Sequence, residues 1–247
     1  MALRYERKYL VPNELITSLR KRLHPFLVPD HNGHITHFGV HQYTVRSIYL
    51  DSNDMECYRQ KESGIKIRRK LRIRGYNQWH PNSKVVLEIK RKTGGRIDKH
   101  RSMVHFCDLK DTILTGNIED NILRDTEKSS LDDARRFFFH LKKKQYAPSS
   151  LVAYEREAYQ GNLNRGLRIT FDKNIRSKVF PDYDELFEDN ELTPLFNNHF
   201  VMEIKYFSDR MPTWARSLVQ EFGLRNDAIS KYTIGYDVAR YNKKLTY

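Results

Sequence analysis

Residues Ile65 to Tyr76 read I-K-I-R-R-K-L-R-I-R-G-Y. Lys66, Arg68, Lys70, Arg72 and Arg74 take the even positions, Ile65, Ile67, Leu71 and Ile73 the odd ones, and Arg69 alone breaks the rule. A period of two belongs to a β-strand, whose successive side chains point to opposite faces. One face is then apolar and the other a row of positive charge. Solvated faces ordinarily mix signs, so the pattern predicts a sheet whose polar side encloses an anion. In isolation it would read as a basic edge strand that resists aggregation.

The neighbouring stretches repeat it. Beyond a turn at Asn77 to Ser83, K-V-V-L-E-I-K-R-K (Lys84 to Lys92) puts Glu88, Lys90 and Lys92 opposite Val85, Leu87 and Ile89. Thr93-Gly94-Gly95 turns the chain into Ile97 to Phe106, with Lys99 and Arg101 on one side. Further out, Arg4 to Val11 carries Glu6 and Lys8 on the face of Arg4, and Leu151 to Tyr159 carries Tyr154 and Arg156. Gly166 to Ile175 sets Leu167, Ile169 and Phe171 against Arg168, Thr170 and Asp172, and Phe200 to Phe207 pairs Glu203 with Lys205. Val45 to Leu50 is a further short strand.

Helical spacing predicts helices at Glu14 to Leu23, capped by Asn13, at Met55 to Gln60, and at Thr213 to Phe222 between Pro212 and Gly223. A helical insertion is expected around 108–147, best seen at Ser129 to Lys144 with its basic end Lys142, Lys143 and Lys144. Pro25 to Gln42, near or within which His24, His31, His34, His37 and His41 fall, follows neither period and is expected to be a loop or short hairpin rather than a metal site. Asp182 to Asn198 is acidic and irregular, and a last segment, S-K-Y-T-I-G-Y, leads to a basic tail. The fold expected is α+β: about seven or eight charged-faced strands, mostly antiparallel, closed into a β-barrel tunnel with charged faces inward and helices packed outside, forming one domain over 1–247.

The 247 residues suffice for a substantial core, and 39% hydrophobic with 12% aromatic content excludes a disordered chain. Forty-four Lys plus Arg against 31 Asp plus Glu give a formal charge of +13, which points to a polyanionic partner. Cys57 and Cys107 stand alone, so neither a disulfide framework nor a Cys-rich zinc site is available. The first residues, M-A-L-R-Y-E-R-K-Y-L, carry charges where a signal peptide has its apolar run, and no window approaches a membrane span. A cytoplasmic setting is the expectation.

Tyr5-Glu6-Arg7-Lys8-Tyr9, Leu71-Arg72-Ile73-Arg74, Leu87-Glu88-Ile89-Lys90, Tyr154-Glu155-Arg156, Leu167 to Asp172, Val201 to Lys205 and Ser230-Lys231-Tyr232 occur in that order. Together they resemble the VTC (vacuolar transporter chaperone) domain of polyphosphate polymerases, within the triphosphate tunnel metalloenzymes, and the resemblance implies an eight-stranded antiparallel β-barrel tunnel. The resemblance implies that Lys8, Arg72, Arg74, Lys90, Arg156 and Arg168 hold a nucleotide triphosphate. It implies further contacts from Lys231 with Ser230 beside it, and from Tyr154; Lys205, on the face of Glu203, joins this substrate-binding set. Glu203 matches the metal-holding glutamate, with Glu88 or Glu6 assisting, so Mn2+ or Mg2+ is implied. Arg4 replaces the first glutamate of the wider superfamily's opening motif, which fits the VTC branch, and Ala228 stands where such polymerases tend to carry a lysine.

The chemistry suits these residue types. A buried triphosphate needs several fixed cations, and the planar arginine fork binds two oxygens at once where lysine acts as a point charge. Arginines two apart on a strand point the same way about 7 Å apart, a reach comparable to neighbouring phosphates. No general base is conspicuous, which favours an ionised phosphate as nucleophile. The expected activity is therefore transfer of the γ-phosphoryl of ATP to phosphate or inorganic polyphosphate. The alternatives are a metal-dependent tri- or polyphosphate hydrolase and a non-catalytic polyphosphate-binding module. Nucleic acid is not an expected partner, because aromatic residues are not interleaved with the basic strand beyond Tyr76.

Overall fold

The computed structural model describes residues 5–30, 33–36, 39–93, 96–124, 129–163, 166–207 and 210–245. Arg4, His31, His37 and the glycines of the expected Gly94-Gly95 turn lie outside them.

Strand β1 (Tyr5–Pro12) leads through a 3-10 turn at Asn13–Leu15 into α1 (Ile16–Leu23). Two short strands, β2 (Leu27–Pro29) and β3 (His34–Ile35), precede β4 (His41–Asp51) and α2 (Glu56–Glu62). Then come β5 (Ile67–Tyr76), β6 (Lys84–Thr93) and β7 (Arg96–His105), the three basic strands. The helical insertion is α3 (Phe106–Thr115), α4 (Ile118–Asn121) and α5 (Ser129–Lys143). Long strands β8 (Ala147–Gly161) and β9 (Arg168–Val179), a 3-10 turn at Tyr183–Phe187, β10 (Thr193–Pro194) and β11 (His199–Tyr206) follow. Helices α6 (Thr213–Glu221) and α7 (Lys231–Leu245) complete the order.

Pairing runs β1-β11-β9-β8-β4-β5-β6-β7, with β10 on β9, β2 on β8 and β3 on β4. The ladders β1–β11, β11–β9, β4–β5, β5–β6 and β6–β7 are antiparallel. The architecture is α+β, with seven α-helices among the described residues. Eight strands lie on the main path, but the sheet is not closed: among the described residues no ladder joins β1 to β7. The expected closed barrel is therefore not shown, and backbone groups at both outer edges bond to coil. Tyr9 bridges Asn226 and the Asp227 amide donates to the Lys8 carbonyl at 2.9 Å; Val104 bridges Ile122 and the Leu123 amide donates to the Met103 carbonyl at 2.8 Å. Edge groups bonded to local coil are not available for barrel closure.

The chain divides into two compact units, one of residues 1–44, 154–176 and 194–231, the other of 45–153, 177–193 and 232–247. In the first, the odd positions of β1 and β9 and the even ones of β11 face helices: Tyr9, Val11, Ile169, Phe171, Phe200, Met202 and Ile204 pack with Leu19 and Leu23 of α1 and Leu218 of α6. In the second, Leu71, Ile73, Val85, Leu87, Ile89 and Val104 of β5, β6 and β7 pack against Leu109, Ala134, Phe137, Phe138 and Leu141 of α3 and α5. Each such apolar side chain larger than alanine contributes roughly 1.5–3 kcal/mol by leaving water.

Three local expectations change. Asn13 does not cap α1, which starts at Ile16 after the 3-10 turn and carries no side-chain cap. In the segment expected as loop or short hairpin, β3 and the start of β4 do pair as a short hairpin, His34 with Gln42 and Ile35 with His41, and the change is that β2 pairs with β8. The final S-K-Y-T-I-G-Y begins a 15-residue helix, α7. Its Gly235 is required by packing, since a Cβ there would stand 2.6 Å from Ser177 Oγ. Among the described residues no helix is long and apolar enough to cross a membrane.

Candidate functional site

In the first unit the register aligns one charged face. Glu6 stands opposite Lys205, Lys8 opposite Glu203, and these in turn stand opposite Arg168 and Thr170 of β9. Directly paired residues share a sheet face, so alternation in three separate strands converges on one surface. Glu203 is 5% exposed and meets four cations: Lys205 at 2.6 Å, Lys8 and Lys231 at 3.5 Å, and Arg156 at 3.8 Å. Burial by itself would raise its pKa; the charges of Lys205, Lys8, Lys231 and Arg156 outweigh that and hold it well below the usual carboxylate range. Burial lowers the pKa of Lys205, and Glu203 recovers only part of the loss.

Asp172 is the anchor of this face. It is fully buried, accepts both arms of the Arg156 fork at 2.6 and 2.7 Å, and accepts from Lys231 Nζ at 2.6 Å. Burial works against its ionisation, yet Arg156 and Lys231 keep its pKa depressed. The same contacts hold Arg156 and Lys231 above their ordinary values against their own desolvation. The ring of buried Tyr154 floors both cations, 4.8 Å from Lys231 Nζ and 5.1 Å from the Arg156 guanidinium carbon. Lys8 donates to the Ile229 carbonyl at 3.0 Å and lies 3.4 Å from Glu6. Arg168 pairs with Asp30 at 2.9 Å and donates to Tyr43 Oη at 3.2 Å, while its Nε and the hydroxyl of Thr170 are buried with no hydrogen-bond partner among the described residues. Ser230 is half-buried beside Lys231.

In the second unit Arg72 stands opposite Glu88 and Glu88 opposite Arg101; Lys70 stands opposite Lys90 and Lys90 opposite Lys99. Like charges placed directly opposite destabilise a sheet, so this lysine row is a cost unless an anion meets it. Glu88 Oε1 accepts from Arg72 and Oε2 from Arg101 at 2.9 Å. Burial raises its pKa, but Arg72, Arg74, Lys99 and Arg101 bring it down to about 2. Arg74 Nε donates to Ser47 at 3.2 Å, and Arg72 donates to Tyr49 Oη at 3.4 Å. Burial would raise the Tyr49 phenol, yet Arg72, Arg74 and Lys70 lower it from 10.0 to about 7.

The structure thus brings Glu6, Lys8, Tyr154, Arg156, Arg168, Glu203, Lys205 and Lys231 together in one unit, and Arg72, Arg74, Glu88 and Lys90 in the other. Sequence reasoning did not single out Asp172, Thr170, Asp30, Tyr43 or Tyr49 as functional. Asp172 and Thr170 had a signal, since they alternate in step with Arg168. Asp30, Tyr43 and Tyr49 had none, because their neighbours come from distant strands.

A family model of the VTC domain matches residues 3–240. The chain belongs to the VTC domain family. No curated protein matches it. Among solved structures, the VTC domain resembles an adenylyl cyclase candidate, HpAC1 from Hippeastrum, described as having a dominant triphosphatase activity: 14% identity, 97% of this chain and 96% of that one covered, TM-score 0.55. The PH1819 protein of Pyrococcus horikoshii OT3 aligns at 15% identity over 97% and 99% of the two chains, with a TM-score of 0.43. At such identity the first likeness is one of fold.

The donor set can be tested against a divalent metal. Among the described residues no group of three or more His, Cys, Asp or Glu side chains gathers as a metal cage. Mg2+ usually needs only one or two carboxylates, taking its other ligands from water and phosphate. Glu203 and Glu6, both within 3.5 Å of Lys8 Nζ, supply hard oxygens of that kind, and the residues fit such a shared site. Glu88 meets Arg72 and Arg101 through its two oxygens, as Glu203 meets Lys8 and Lys231 through one and Lys205 and Arg156 through the other, so a metal at either carboxylate would replace cation contacts.

Proposed function

We propose that this VTC domain is an ATP-dependent polyphosphate polymerase, converting ATP and polyphosphate(n) to ADP and polyphosphate(n+1) in the cytoplasm. The observation that carries the reading is the face of β5, β6 and β7, on which the register of these strands places Lys70, Arg72, Arg74, Lys90, Lys99 and Arg101 together with the carboxylate of Glu88. Such an excess of cations fits a polyanion of repeated phosphates better than a single carboxylate partner.

In this reading Arg72, Arg74 and Lys90 of the second unit stabilise charge on phosphate, as Arg156 and Arg168 do in the first, and Lys8, Lys205, Lys231, Ser230 and Tyr154 of the first unit hold further phosphate groups. Glu88 orients Arg72 through their ion pair. A terminal oxygen of the acceptor phosphate attacks the γ-phosphorus of ATP, and the β–γ bridging oxygen leaves with its electron pair as ADP. The acceptor oxygen is already ionised, so no proton needs removing. Glu203 with Glu6 would hold Mn2+ or Mg2+, which would supply neutralisation of phosphate charge.

A second reading, a metal-dependent triphosphate hydrolase, gains support from Tyr49, whose pKa, lowered to about 7 by Arg72, Arg74 and Lys70, gives a phenolate that would accept a proton from attacking water. Incubation with ATP and Mn2+ separates the two: long acid-labile chains support the polymerase, and free phosphate alone with every divalent metal overturns it. Arg72→Ala with Arg74→Ala should abolish turnover without unfolding the protein. A purely binding module would keep its grip on polyphosphate in Glu203→Gln and turn over ATP in neither version.

A further inference from the structure

The one basic residue that interrupts the apolar side of β5, Arg69, has a counterpart. Arg91 of β6 stands directly opposite it, continuing the row of pairs Leu71–Ile89 and Ile73–Leu87. Two arginines therefore lie side by side on the sheet face that otherwise packs apolar side chains, turned away from Arg72, Arg74 and Lys90. They open into a cavity of about 120 Å³ that Arg68, Lys144 and Tyr146 also line. A single water needs only roughly 10–15 Å³ of such space. The space admits a larger guest.

The charges around this cavity are unbalanced. Its one lining carboxylate, Glu56, is already engaged by Lys144 at 3.1 Å, by Gln60 at 3.0 Å and by Tyr146 at 3.4 Å. Arg69 reaches His140 Nδ1 at 3.4 Å, and burial together with the charges of Arg69 and Lys143 lowers the pKa of that histidine, so it offers no acid. Arg68 spends one arm on the Ile65 carbonyl at 2.9 Å. Asp98 of β7 stands directly opposite Arg91 on the same sheet face and offsets part of that charge. Opposed arginines destabilise a sheet unless something negative sits between them. Their planar forks match the oxygens of a phosphate group.

We infer that this cavity is a second anion site, formed by Arg69, Arg91, Arg68 and Lys144, which takes a phosphate group, either free orthophosphate or the terminal phosphate of a chain. It is separate from the proposed catalytic residues and does not depend on that reading. Equilibrium dialysis with labelled orthophosphate, and separately with tripolyphosphate, counts equivalents bound by the wild type and by Arg69→Gln with Arg91→Gln. The variant is expected to bind one equivalent fewer, or to hold it at least tenfold more weakly, while its ATP turnover in the absence of added phosphate is unchanged. Loss in the orthophosphate arm assigns a free phosphate, and loss in the tripolyphosphate arm alone assigns a chain end. Arg69→Lys with Arg91→Lys should retain the equivalent at reduced affinity. Equal stoichiometry and affinity in wild type and glutamine variant overturn the proposal. Should the glutamine pair fail to fold, Lys144→Gln at an exposed position gives the same reading: weakened binding supports the site and unchanged binding refutes it.

Discussion

Stacked on Tyr232 at a ring distance of 5.3 Å, the phenol of Tyr49 sits in the field of Arg72, Arg74 and Lys70. With its pKa lowered to about 7, much of it is phenolate under neutral conditions. An anion bound to those same cations would screen them and raise the phenol again, so binding should take up a proton. Affinity for tripolyphosphate should then weaken as pH rises through 7 toward 10. Tyrosinate absorbance should show a midpoint near 7 that vanishes in Tyr49→Phe and moves upward with saturating tripolyphosphate; a midpoint that ignores the anion would refute the coupling. Asp172 offers a second test at this scale. Asn at 172 leaves Arg156 and Lys231 buried without their counter-charge, and removing one partner of a buried pair costs about 3–5 kcal/mol. Urea unfolding should show that loss, and tripolyphosphate should recover more stability in the variant than in the wild type.

At the scale of elements, the strands were legible and the last helix was not. Alternation in Ile65 to Tyr76 and its six companions reports which face meets solvent or ligand, and the register confirms the pairing Lys8–Glu203–Thr170 that such alternation allows. Helix α7 opens K-Y-T-I-G-Y, with a β-branched pair and a glycine that disfavour helix in isolation. Packing overrides propensity there, because Tyr232 and Thr233 are buried and Gly235 lies flush against Ser177. Gly235→Ala should therefore cost about 1–3 kcal/mol through overpacking, even though alanine is the better helix former. Thermal melts should show the loss, and Ser177→Gly should restore much of it. A more stable Gly235→Ala protein would contradict the close approach.

For the molecule as a whole, the acid limb of stability follows from its depressed carboxylates. Glu88 falls from 4.5 to about 2 on folding, and Asp172 and Glu203 are lowered as well. A folded pKa below the unfolded one gives stability that is present above pH 4.5 and is lost as pH falls toward 2. Denaturant midpoints measured between pH 6 and 2 should drop steeply below 4.5, and Glu88→Gln should flatten part of that drop; a wild-type curve with no such limb would contradict the ion pairs. The positive net charge and its gathering on charged strand faces were legible at this scale. Closure of the sheet was not legible, since it depends on which backbone groups at Lys8 and Met103 are already bonded, and side-chain periodicity carries no record of that.

Those two bonded margins bear on how copies of the chain behave toward one another. Aggregation by strand addition needs a bare backbone rim, and the segments around Asn226 and Ile122 sit where an incoming strand would zip onto β1 or β7. Fibre growth at either place would first have to peel away a short native coil, so the protein resists templated stacking until it is locally unwrapped.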